Sequence, residues 1–81
     1  MLKTTYSKFE ITNGTGVMRN SLEENSIRII ILKNDGTLII DEIDLDSIRW
    51  SETYSYSPEC ETGDYEVYLD MYNSYVKAIN A

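Results

Sequence analysis

Over residues 4–12 the side chains alternate, with Thr5, Ser7, Phe9 and Ile11 on one side and Tyr6, Lys8 and Glu10 on the other. That is the period-two pattern of a strand. Asn13-Gly14 follows, a dipeptide suited to a tight hairpin turn, and residues 15–19 can return as a second strand. Ser21-Leu22-Glu23-Glu24 carries a Ser-x-x-Glu capping box, which fits one helical turn or a polar loop equally well. Residues 27–33 are rich in β-branched side chains, Asn34-Asp35-Gly36 reads as a turn, and residues 37–40 are apolar again, so a hairpin is expected here. The unbroken run Ile29-Ile30-Ile31-Leu32 predicts a central strand covered on both faces.

Beyond that hairpin, Ile43 and Leu45 alternate with Glu42, Asp44 and Asp46. Ile48, Trp50, Tyr54 and Tyr56 share a parity against Arg49, Ser51, Thr53 and Ser55, which predicts another strand within residues 47–57, bulged near Asp46-Ser47. Pro58 breaks the pattern, and Gly63-Asp64 marks a helix start. From there Tyr65, Tyr68, Leu69, Tyr72, Val76 and Ile79 recur at steps of three and four, with Glu66, Asp70, Asn73 and Lys77 opposite and Tyr75 on the flank. A strand with Val67, Leu69 and Met71 inward fits only the first half, so the helix is preferred.

The elements predict a single α+β domain over residues 1–81: an antiparallel sheet of four to five strands with a C-terminal helix packed on one face. Short connections favour antiparallel order, because parallel strands need crossovers of about a dozen residues. The expected core draws on Leu32, Ile39, Ile43, Leu45, Trp50, Leu69, Tyr72 and Val76.

Charge changes the picture. Seven Lys and Arg face fourteen Asp and Glu, for a net charge of −7 and a pI near 4.3. A chain so acidic is not expected to bind nucleic acid directly, nor an anionic membrane surface. The acid is unevenly placed. Residues 1–34 hold five bases and three acids, and residues 35–81 hold two bases and eleven acids. An acidic half without compensating cations repels itself, and a basic partner would relieve the repulsion. The plainer reading is a solvated surface that keeps the protein in solution.

On a strand, Glu42, Asp44 and Asp46 would project from one face about 6.6 Å apart, a spacing at which charges can imitate a phosphate backbone. A calcium loop is not expected, because Ile48 and Arg49 stand where an oxygen ligand and glycine are needed. Six of the seven tyrosines lie in the acidic half. Helical spacing assigns Tyr65, Tyr68 and Tyr72 to packing, and leaves Tyr54, Tyr56 and Tyr75 as the exposed candidates. Acid with exposed tyrosine suits contact with lysine and arginine through ion pairs and cation–π contacts. The candidate partner-binding set is therefore Glu42, Asp44, Asp46, Tyr54, Tyr56, Glu59, Glu61, Glu66, Asp70 and Tyr75.

Catalytic signatures are missing from the sequence. There is no histidine and no nucleophile set, and Asn13-Gly14-Thr15-Gly16 lacks the lysine of a phosphate-binding loop. No enzyme activity, cofactor or metal is expected. Cys60 has no partner, which suits a reducing cytoplasm, and it sits between Glu59 and Glu61, which would hold its thiol unreactive. Neither a signal-peptide run nor a membrane span of about 18 apolar residues is present, so a cytoplasmic protein is expected.

In size, acidity, strand-and-helix order and lack of catalytic sets, the chain resembles small inhibitors encoded by phages and mobile elements. Anti-CRISPR proteins and DNA-mimic anti-restriction proteins belong to that class. The resemblance is one of profile, carried by residues 41–70, with no motif-level match. It implies stoichiometric binding to a basic nucleic-acid channel of a host nuclease complex, in the host cytoplasm. Two other readings fit the same profile: an immunity protein or antitoxin capping a toxin's active site, and a structural or assembly protein with a solvated acidic face.

Overall fold

Alternating side chains become strands when a neighbour completes their hydrogen bonds, and here each strand pairs with the next in sequence. The computed structural model describes residues 3–44, 46, 49–55 and 63–81. Its strands are β1 (Thr4–Ile11), β2 (Gly14–Ser21), β3 (Ser26–Lys33), β4 (Leu38–Asp44) and β5 (Arg49–Tyr54), followed by the helix α1 (Gly63–Asn80). They form one five-stranded antiparallel sheet in the order β1-β2-β3-β4-β5, with α1 packed against it. The expected fold class is the one found. Among the described residues, no helix is long and apolar enough to cross a membrane.

The turns set the register. Ile11 pairs with Gly14, so the first turn is Thr12-Asn13, one residue earlier than the Asn13-Gly14 expectation. Glycine is needed at position 14 for a different reason: a Cβ there would lie 2.6 Å from the Leu32 carbonyl oxygen. The capping box yields no helix. Ser21 Oγ accepts the Glu24 N–H at 3.1 Å, as a cap would, but the chain turns at once into β3 through Asn25 at φ 53°. In the next turn Asp35 Oδ1 accepts the Thr37 N–H at 2.9 Å, and Gly36 adopts φ 92°, which glycine tolerates without a Cβ clash.

Because strand side chains alternate, the register divides the sheet into two faces. Val17, Ile30, Leu38 and Ile40 lie on the face under α1 and are fully buried, each worth about 2 kcal/mol of apolar transfer. Leu32, Trp50, Leu69, Tyr72 and Val76 pack around them as expected, and Tyr65 and Tyr75 complete the cluster. The helix crosses diagonally. Its first turn is anchored where the Tyr65 hydroxyl donates to the Gly36 carbonyl at 2.6 Å, Tyr68 stacks on Tyr54 of β5, and Tyr75 meets Tyr6 of β1.

Two expectations about the core require correction. Ile39 and Ile43 lie on the opposite face, half-buried among neighbouring side chains rather than under the helix. The alternation of Ile43 with Glu42 and Asp44 suggests an acidic face turned to solvent, whereas Glu42 in fact lies on the covered face, neutralised by Arg28. Leu45 falls outside the described residues. The second correction concerns β3. It is central, but among the described residues no helix or strand covers its other face, which carries Ile27, Ile29 and Ile31. On that face the Phe9 ring lies over Gly16, occupying the space a Cβ would need.

The Asp35 turn carries a pH signature. Hydrogen bonding from the Thr37 N–H lowers the Asp35 carboxyl below its ordinary range. A depressed folded-state pKa means stability present above the unfolded value of about 3.9, and lost as pH falls through the folded value. Asp35→Asn keeps an acceptor without the charge. Urea unfolding should therefore show wild type ahead of Asp35→Asn near neutral pH, the gap closing as pH drops below about 4. A gap independent of pH would mean that the carboxylate charge contributes nothing to the turn.

Candidate functional site

Five register partners form a row across the covered face: Tyr6, Arg19, Arg28, Glu42 and Trp50, one from each strand. Arg19 and Arg28 are directly opposite, an arrangement that like charge disfavours. Each has its own carboxylate. Arg19 is ion-paired with Glu24, and Arg28 Nε donates to Glu42 Oε2 at 2.9 Å. The Arg28 and Glu42 side chains are only 19% and 20% exposed. From the helix, Tyr75 Oη and Met71 Sδ accept from Arg28 Nη1 at 3.2 and 3.5 Å. Burial disfavours the Arg28 charge, but the hydrogen bonds to Glu42 and Tyr75 outweigh it and raise the guanidinium pKa above its ordinary value.

Tyr75 was expected to be exposed, yet it is 6% exposed. It sits against Tyr6, with ring centroids 5.3 Å apart and tilted by 52°, and its hydroxyl faces the arginine. The reason is rotational. Tyr75 lies on the flank of the apolar stripe, and the arginine gives that flank a polar partner inside the helix–sheet interface. Glu42 is likewise committed inward. The carboxylate row Glu42, Asp44, Asp46 is not continuous: Asp44 is exposed at the end of β4, and Asp46 lies in a turn whose N–H donates to Asp44 Oδ1 at 2.9 Å.

The other candidates divide by element. Glu66 and Asp70 are exposed on the outer surface of α1, four residues apart and therefore neighbours. Tyr54 is half-buried, stacked on Tyr68 with centroids 5.0 Å apart, and its hydroxyl donates to Glu52. That bond to a carboxylate pushes the phenol pKa well above its ordinary value. Tyr56, Glu59 and Glu61 lie outside the described residues.

Sequence reasoning left out Asp64 and Glu52, both exposed. Asp64 joins Glu66 on the first turns of α1, where the helix dipole favours negative charge, and the first-turn acids were the signal for it. On the outer surface of α1, Glu66 and Asp70 share a side with Lys77, with Val67 52% exposed beside them, while Asp64 is exposed at the helix start. Like-charged neighbours such as Glu66 and Asp70 cost a few tenths of a kcal/mol. Among the described residues, no group of three His, Cys, Asp or Glu side chains is arranged to hold a metal ion. Comparison with known proteins gave no match to any family model, curated protein or solved structure.

The Arg28 link gives a direct energetic expectation. Arg28→Ala strands Glu42 beneath the helix and should cost about 3 kcal/mol in urea unfolding. Replacing both partners, Arg28→Leu with Glu42→Leu, should recover most of that loss, because no charge is left unpaired. If the double variant is as damaged as the single one, packing of the arginine stem and not its charge holds the layer together.

Proposed function

We propose that the protein is a small acidic, non-enzymatic inhibitor that occupies a basic nucleic-acid-binding surface on a host nuclease or defence complex. One observation carries this reading. Among the described residues of the acidic half, Asp35, Asp44, Asp46, Glu52, Asp64, Glu66 and Asp70 are exposed, against Arg49 and Lys77 as exposed cations. The inward tyrosines and the Arg28–Glu42 pair fix the helix on the sheet, so the outer carboxylates of α1 are held on a rigid element. Rigid charges lose little entropy on binding, which suits a mimic of a stiff polyanion.

Glu66, Asp70, Asp44 and Asp46 are the carboxylates that support contact with the partner, with Asp64 and Glu52 added. Glu42 and Tyr75 act from within, by holding the helix that presents those groups. Tyr54 offers an edge of aromatic surface beside Glu52. No nucleic acid is bound directly on this reading, and no cofactor takes part.

Electrostatic steering predicts the kinetics. Association with a basic nuclease complex should slow steeply as salt rises beyond the point where the Debye length is about 8 Å. Glu66→Lys with Asp70→Lys should weaken binding roughly tenfold or more, chiefly through the association rate, while stability moves by about 0.5 kcal/mol or less per site. Duplex DNA should displace the protein from its partner. Normal binding by the reversed variant, or simultaneous binding of DNA and this protein, would defeat mimicry.

A further inference from the structure

The face of the sheet opposite α1 is the least expected surface of the molecule. Ile27, Ile29, Ile31, Ile39, Ile43 and Met18 lie together on it, all half-buried, and among the described residues no helix or strand covers them. A central strand with an unbroken apolar run belongs in a sheet covered on both sides. Among the described residues, helix α1 covers one.

We infer that this open face pairs with the same face of a second copy of the chain, forming a two-sheet sandwich with the helices outermost. Charge is close to balanced on this face, unlike on the acidic helix side. Among the described residues, Asp41 is the one carboxylate on the open face, and it shares the face with Arg49 and Lys33. Asp41 Oδ2 lies 3.7 Å from Arg49 Nη2, and the Arg49 side chain is 72% exposed. Two copies meeting here place cations and a carboxylate at the contact and keep the acidic helix surfaces apart. Contact through the outer surface of α1 would instead bring Glu66 and Asp70 toward their counterparts.

Shape and area agree. Sheets pack face to face at about 10 Å, and the interdigitating side chains make the core. Five strands about 4.8 Å apart, with eight residues in β3 rising about 3.3 Å each, give a face of roughly 600 Å². Two such faces bury roughly 1,200 Å², the lower bound of a stable interface. The layout is also that of an interface: Ile29 and Ile31 on the middle strand lie in an apolar centre broken only by Asp41 beside Ile29, while Ser7, Asn20, Ser51 and Thr53 form a polar rim. A two-fold axis near Ile29 makes the contact self-complementary.

The test is sedimentation of the full chain across micromolar to near-millimolar concentrations. The expected mass at high concentration is twice the 9.4 kDa of the chain. Added salt should strengthen the dimer, because it screens repulsion between two −7 copies and leaves apolar burial intact. This is the opposite sign to the proposed partner binding, so the two readings fail separately. Ile29→Lys should weaken association at least roughly a hundredfold while circular dichroism stays unchanged. Should Ile29→Lys unfold, Met18→Lys, nearer the rim, decides. Val67→Lys, on the outside of the helix, should leave the dimer unchanged. A wild-type chain that stays monomeric throughout overturns the inference, as does a dimer that survives both open-face variants. A monomer that binds an apolar dye on this face also overturns it, and points to a heterologous partner.

Discussion

A five-stranded sheet has two faces, and the described residues supply one helix. That imbalance governs the rest. The face under α1 receives the fully buried side chains, Val17, Ile30, Leu38 and Ile40, and must also accommodate whatever else the register places there. The other face keeps six isoleucines, and among the described residues no helix or strand lies over them. An 81-residue chain has little core to draw on, so each fully buried side chain is a large share of a small total.

The covered face is not uniformly apolar, and the manner in which it is not explains the tyrosines. Register puts Arg19, Arg28 and Glu42 in one row beneath the second half of the helix. A leucine-like stripe on the helix would leave the guanidinium without enough acceptors. Tyr75 supplies apolar area and an acceptor together, and at the other end Tyr65 donates to a backbone carbonyl. Tyrosine is therefore used as packing that tolerates polar surroundings. A helix held by phenol hydroxyls at both ends has its rotation fixed, so Glu66 and Asp70 point outward at a set angle.

Much of this was legible in advance. Strand parity, the β3–β4 turn at Asn34-Asp35-Gly36 and the three-and-four spacing after Asp64 are local signals, and each survives in the structure. What failed was long-range. Glu42 reads as a solvent-side carboxylate until Arg28, fourteen residues earlier, is known to lie opposite it. Tyr75 reads as exposed until the same arginine is placed beneath it. Both errors share one cause, since pattern reading sorts residues by polarity and a buried ion pair inverts that sorting. The capping box at Ser21 failed differently: its hydrogen bond formed, but β2 and β3 pair up to Ser21 and Ser26, leaving no room for a helix.

The run Ile29-Ile30-Ile31-Leu32 carries more apolar surface than the helix takes up. Ile30 and Leu32 pack under the helix, whereas among the described residues no helix or strand covers Ile29 and Ile31. Hydrophobic surface left open on a small acidic protein is a liability, because it invites nonspecific association. High net charge opposes that association at long range, while burial favours it at contact. The two act on different faces here, since nearly all the exposed acid lies off the isoleucine face. Separating them keeps the acidic repulsion on the helix side from cancelling the apolar character of the isoleucine face.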